Sequence, residues 1–315
     1  MLRSLYSGVS GLRVHQTRMD VIGANLANVN TVGFKSSRVT FRDVLYQTMM
    51  NPQRPSDGED GGVTRGGTNP SQIGLGVNVG SIDVLMTRAG PMLTDKPTDV
   101  YIDGEGFFMV RNRFPDEDES NWWYTRVGDF RFDALGRMVD GNGNFVMGIM
   151  GTGDGLETEL DGDGIDAREL QVLDLRAAAG DPEVWARLTQ ISIGLDGVIT
   201  AYDPGADEED DPILILGQIV ICKFVNPEGL SQEGNSYWRQ TRNTGDPDAP
   251  ENNPRAYAPG ISGVGRTIAN RLEMSNVELS KEFTDMIVTQ RGFQANSRII
   301  TVSDEMLLEL VNLKR

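Results

Sequence analysis

Apolar residues keep a helical beat at both ends of the chain. From Leu272 to Arg315 no proline interrupts, and Phe283, Met286, Phe293, Ile300, Leu307 and Val311 fall on steps of three and four. Met286, Phe293, Ile300 and Leu307 form a row seven apart, the mark of a heptad seam. Between them the seam turns polar at Gln290, Ser297 and Asp304, while Val288, Ile299, Val302 and Met306 are apolar but lie off it. One partner helix could not cover all of them, so the helix is either buried in a domain core or touches several neighbours in an assembly. Ser275-Asn276-Val277-Glu278 reads as a capping box. A helix from there to residue 312 would run roughly 55 Å at 1.5 Å per residue. Residues 2–29 repeat the beat: Leu5, Val9, Leu12, Met19 and Leu26 lie along one seam, with Gln16 and Gly23 between and Ile22 and Val29 widening the stripe. Antiparallel pairing of the two terminal helices as a coiled coil is the simplest arrangement.

The periodicity changes between these ends. After the run Asn25-Leu-Ala-Asn28-Val-Asn30, which predicts a helix fraying into a turn, residues 36–71 lose periodicity and become rich in Gly, Pro and Asp. They predict an extended connector. Residues 72–150 alternate in short β-branched and aromatic runs, such as Val77 to Met86 and Tyr124 to Asp133, broken by glycine turns. Ile213 to Phe224 and Ser236 to Thr241 resume that pattern, and residues 246–271 read as a second connector. The predicted fold is therefore α+β and multi-domain. Residues 1–35 with 272–315 make a helical core, 36–71 with 246–271 make connectors, and 72–150 with 212–245 make a nested, mainly-β barrel or sandwich. Residues 151–211 form an acidic insert.

Charge and candidate chemistry narrow the function. The net charge is -17, and residues 151–211 hold most of it, with seventeen acidic residues against three arginines. That excess argues against nucleic-acid binding and predicts a solvated outer face. No apolar run reaches the ~18 residues that span a bilayer, and the N-terminus lacks the apolar block of a signal peptide. The single cysteine, Cys222, sits in an apolar run and predicts a buried strand thiol. The single histidine, His15, has no neighbouring partner for catalysis or metal binding. The run from Asp161 to Glu169 fails the calcium-loop spacing, with Ile165 at position 5 and Val172 at position 12. Trp122-Trp123 predicts packing. No nucleophile–base–orienter set is visible, so neither an enzyme nor a cofactor is predicted.

The two termini resemble the bacterial flagellar rod and hook family. Ser7-Gly-Val-Ser-Gly-Leu12, the motif Asn25, Asn28, Asn30, Gly33, Phe34, and the run through Gln290, Arg291, Gly292 and Asn296 carry the likeness. Within the family the chain looks hook-like, with Arg291-Gly292-Phe293 where the distal rod pattern has Arg-Ala-Tyr. The resemblance implies a structural subunit of a curved tube that joins motor to filament and transmits torque, packing through its terminal helices. Its partners would be further copies of itself in a helical polymer, rod and hook–filament junction proteins, a hook cap, and the flagellar type III export apparatus. It would lie outside the cell without a cleaved signal peptide. The distal rod is the alternative within the family; a secreted calcium- or glycan-binding protein built on the acidic insert is the alternative outside it.

Overall fold

The computed structural model describes residues 2–57, 63–112, 122–153, 155–157, 164–166, 169–180, 182–205, 212–245 and 255–313. The chain divides into two compact units. The first comprises Met1–Asn28, Ser36–Leu85 and Val277–Arg315; the second comprises Val29–Lys35 and Met86–Asn276.

In the first unit an N-terminal helix, Leu2–Ala27, packs on a C-terminal helix, Leu279–Asn312. The N-terminal helix ends where Asn28 turns back on it. The Asn28 amide donates to the carbonyls of Ala24 and Asn25, and its side-chain Nδ2 donates to Ala24 O at 2.9 Å. The C-terminal helix starts later than the capping box predicts. Glu278 is the N-cap, in extended conformation and with no side-chain cap bond. At thirty-four residues the helix is about 51 Å long.

Residues 36–71, expected to be an extended connector, are instead one arm and part of the return of a long antiparallel ribbon. Ser37–Asp43 pairs with Val77–Val84 through a bulge between Thr40 and Phe41. Tyr46–Met50 pairs with Ser71–Gly74, Gln53 bridges Thr68, and Ser56–Asp57 pairs with Val63–Arg65. The Gly/Pro-rich composition hid the pairing because the strands are short and joined by irregular steps. Two strands alone are marginal in water.

The second unit is built around an antiparallel sheet of fourteen strands among the described residues. Its main path runs Ile165–Asp166, Arg255–Tyr257, Ile221–Cys222, Phe107–Arg111, Phe145–Gly153, Ile213–Ile219, Val198–Tyr202, Thr189–Ile193. Val100, Phe108, Phe130, Met138, Leu173, Ile199, Leu216 and Ile221 fill its core. The acidic stretch 151–211 does not stand apart as an insert. Its segments Gln171–Val172, Thr189–Ile193 and Val198–Tyr202 are strands of the same sheet, and Leu173, Leu175 and Ile199 are core residues. Their acidic neighbours masked that alternation. Asp161, Asp163 and Asp207 to Asp211 lie outside the described residues. The expected second connector, 246–271, is likewise drawn into this unit in its described part: Arg266–Ala269 pairs with Val100–Asp103, and Arg271–Glu273 with Pro91–Leu93. Cys222 is fully buried on its strand, and burial pushes its thiol up to about 12, so it is inert at neutral pH.

A buried charge cluster ties the ends of this unit's chain segments together. Lys35 Nζ donates to Glu273 Oε1 at 2.7 Å and to Thr87 O at 2.9 Å; Arg126 lies 3.6 Å from Glu273 Oε2. The Lys35 and Glu273 side chains are each 1% exposed. Burial pulls the Lys35 ammonium below its ordinary pKa; Glu273 pulls it back up and Arg126 adds to the depression. The next turn is set by Gly33, at φ +68°, whose amide donates to Glu273 O at 2.8 Å. A Cβ there would meet Val127 at 2.9 Å.

Removing one member of such a cluster strands the others in a dry site. We predict that Lys35→Met costs about 3 kcal/mol. Denaturant unfolding followed by tryptophan fluorescence measures it, since Trp122, Trp123, Trp185 and Trp238 all lie in the second unit. An unchanged midpoint in Lys35→Met would refute the assignment.

Candidate functional site: the helix seam and the ribbon

The terminal helices run antiparallel. Gly8 faces Ile300, Gly11 faces Asn296, His15 faces Gly292, Arg18 pairs with Asp285 at 2.8 Å, and Asn25 reaches Glu282. Small residues make the approach close. A Cβ on Gly11 would meet Asn296 Nδ2 at 2.6 Å, and one on Gly292 would meet His15 Cε1 at 2.6 Å.

The packed faces overlap the predicted seams only in part. On the N-terminal helix Gly8, Gly11, Val14, Ile22 and Asn25 are buried. Leu5, Leu12, Met19 and Leu26 are half-buried, and Val9 is exposed. On the C-terminal helix Met286, Phe293, Ile300 and Leu307 are half-buried, whereas Phe283 and Val311 are 49% and 63% exposed. The positions between are Thr289, Asn296 and Ser303, not Gln290, Ser297 and Asp304. Thr289 and Ser303 are buried; Gln290 and Asp304 are exposed. Periodicity of apolar residues marks the row seven apart and misplaces by one the positions between, because these are polar. Each satisfies itself within its own helix: Thr289 Oγ1 donates to Asp285 O at 2.6 Å and Ser303 Oγ to Ile299 O at 2.7 Å.

Asn25 joins three elements. Its Oδ1 accepts from Ser37 N at 2.9 Å, and its Nδ2 donates to Ser37 O at 2.9 Å and to Glu282 Oε1 at 3.3 Å. The side chain thus pairs with the first residue of the ribbon as a strand would, and fixes where the ribbon leaves the helices. The other motif residues are scattered. Asn28 caps its helix, Asn30 is exposed, and Phe34 is half-buried in the second unit. Arg291 is exposed and donates to Gln294 Oε1 at 3.2 Å.

The ribbon presents an apolar surface that sequence reading missed. Leu45, Tyr46, Met49 and Met50 are exposed, Met50 to 61%, and Ile73 and Leu75 join them from the return strand. The signal available was the cluster Val44-Leu45-Tyr46 followed by Met49-Met50 in a stretch otherwise read as connector. The C-terminal helix adds exposed Ile287, Val288, Ile299 and Val302. Exposed apolar side chains concentrated in this way mark an interaction surface. Among the described residues no group of His, Cys, Asp or Glu converges as a metal site. Trp122 packs under Arg111, and Trp123 stacks on Tyr237 at 5.3 Å. Among the described residues no helix is long and apolar enough to cross a membrane.

Two chain ends folded into one helical module, with apolar surface left open and a β unit strung between them, define a structural subunit of an assembly. Comparison with known proteins places it. The profile described as flagella basal body rod protein matches residues 5–35, the flagellar hook protein FlgE/F/G D1 domain matches 101–201, and the flagellar basal body rod FlgEFG protein C-terminal matches 268–313. The chain is 41% identical to the flagellar basal-body rod protein FlgG of Bacillus subtilis, over the full length of both. It is 32% identical to FlgG of Borreliella burgdorferi over 317 positions, covering both chains fully. It is 30% identical to the flagellar hook protein FlgE of that organism, again covering both, but over 460 positions. The chain belongs to the flagellar rod and hook axial protein family.

Two substitutions test the seam. Asn25→Ala removes three hydrogen bonds, and we predict a loss of about 2 kcal/mol, read as faster amide exchange at residues 20–28 and 37–40. Gly292→Ala is predicted to be destabilising with His15 in place, where the methyl meets the ring, and stabilising by about 1 kcal/mol in a His15→Ala background, where only helix propensity remains. Additive effects in that double-mutant cycle would show that the two side chains do not touch.

Proposed function

We propose that the chain is a self-assembling subunit of the distal rod of the flagellar basal body. The observation that carries this reading is the full-length match to rod proteins without added length. The hook relative needs an alignment far longer than this chain's 315 residues. The hook expectation leaned in part on Arg291-Gly292-Phe293 standing where the rod pattern has Arg-Ala-Tyr. That glycine has a local cause, the His15 ring against it, and so it does not speak for the hook.

In this reading the terminal helices pair as an antiparallel coiled coil and drive polymerisation. The three-four spacing of Glu282, Met286, Thr289, Phe293, Asn296, Ile300, Ser303 and Leu307 along the less exposed face of the C-terminal helix supports it. Leu5, Val9, Leu12, Met19 and Leu26, with Phe283 and Val311, are then positions at which neighbouring copies meet. Non-closing contacts of this kind generate helical filaments. The partners are further copies of the chain, adjoining rod and hook proteins, and the flagellar type III export apparatus; the place is the basal body.

Immunogold labelling of isolated hook–basal bodies carrying an epitope-tagged chain tests the location. Label along the straight rod is expected; label on the curved hook would overturn the rod assignment. Sedimentation of the purified chain tests the mechanism. Deleting residues 2–28 or 279–313 is predicted to abolish polymers, and polymers formed without either helix would overturn helix-driven assembly.

A further inference from the structure

His15 is the single histidine in the chain, and it stands where both terminal helices and the ribbon meet. Its ring lies edge-on to Phe41 of the ribbon, with centroids 5.7 Å apart and planes at 88°. On the opposite helix Gly292 leaves the space that the ring occupies. The ring borders a cavity of about 270 Å³ lined also by Gly11, Val14, Phe41, Val77 and Asn296. Its Nδ1 is buried and has no hydrogen-bond partner among the described residues. The charged groups around it are few. Arg18, on its own helix, lies over the same Phe41 ring at 5.7 Å and pairs with Asp285 of the C-terminal helix. Arg42, next to Phe41, lies over Gly80, and Arg291, next to Gly292, bonds Gln294. The residues that touch or face the imidazole, Phe41, Gly292 and Asn296, do not titrate.

We propose that His15 is a proton-sensitive pin: neutral, it holds the N-terminal helix, the C-terminal helix and the ribbon together, and protonated, it loosens their common seam. Protonation makes both ring nitrogens donors, so the buried Nδ1 would carry an N–H with no acceptor, and an imidazolium would stand beside the Arg18 guanidinium. No carboxylate in the described surroundings is free to take it up, because Asp285 already serves Arg18. Burial first, and Arg18 second, hold the imidazole below its ordinary value of 6.5. The sign follows from that direction. A folded-state value depressed below the unfolded one gives stability that is complete above the unfolded value, about 6.5, and is lost as pH falls from there through the folded value.

The full chain, kept dilute and unpolymerised, tests this. Having one histidine, it gives a single imidazole Cε1–H resonance whose titration is read directly. The expected midpoint lies below 6.5, and protection of helix and ribbon amides, corrected for intrinsic exchange, falls by up to about tenfold per pH unit as pH drops through this window. In His15→Gln, which keeps a polar side chain that does not titrate, that pH-dependent loss is expected to vanish. A midpoint at or above 6.5, or protection that falls equally in wild type and His15→Gln, would overturn the proposal. Should the variant fail to fold, the wild-type titration decides alone, since a pin of this kind requires the depressed midpoint together with the matching loss of protection.

Discussion

Close approach of the two terminal helices is the constraint on which the first unit depends. The helices meet where side chains are missing or short: at Gly8, Gly11 and Gly292, with Asn296 and His15 filling the spaces those glycines leave. A glycine inside a helix costs about 1 kcal/mol in propensity, so three of them are tolerated only because each admits a side chain from across the seam. The contact also brings the two ends of the sequence together. Everything between, ribbon and β unit alike, must therefore leave this module and return to it. The path crosses between units after Asn28, Lys35, Leu85 and Asn276, and the ribbon lies wholly within the first unit.

The seam is modest in apolar content. Thr289 and Ser303 take core positions and bond their own helix instead of the partner, which contributes little to holding two helices together. At the same time, Ile287, Val288 and Ile299 on one element and Leu45, Met49 and Met50 on another remain in water. The hydrophobic effect is worth roughly 25 cal/mol per Å² of apolar surface buried. Much of that gain is thus reserved for contacts outside the isolated chain. This distribution suits a family whose members build an axial structure, because a subunit held together chiefly by its neighbours gains most of its order when it joins them.

The helices and many of the strands were legible because burial leaves a mark: steps of three and four at both termini, and apolar strand runs such as Ile213 to Phe224 in the β unit. What could not be read had physical reasons. The inward positions between Met286, Phe293, Ile300 and Leu307 are polar, so periodicity of apolar residues placed Gln290 and Asp304 where Thr289 and Ser303 belong. The ribbon follows no clean alternation, since a two-stranded element without a covering layer has no buried face to impose one. The acidic stretch around Gln171–Val172 and Val198–Tyr202 looked like an insert because solvent-facing loops set its composition while a handful of residues such as Leu173 and Ile199 join the core. Gly292 read as a family signature, but its meaning was spatial and needed His15, far away in sequence, to be seen.

Asn25 carries a consequence of its own. It spends both ends of its amide at once, accepting from Ser37 N and donating to Ser37 O and Glu282. Aspartate has the same outline and would fail, for it could only accept and would set a negative charge against a carbonyl and a carboxylate. The junction where ribbon and helices meet is therefore specified by the donor at one end of a carboxamide and not by the outline of the side chain.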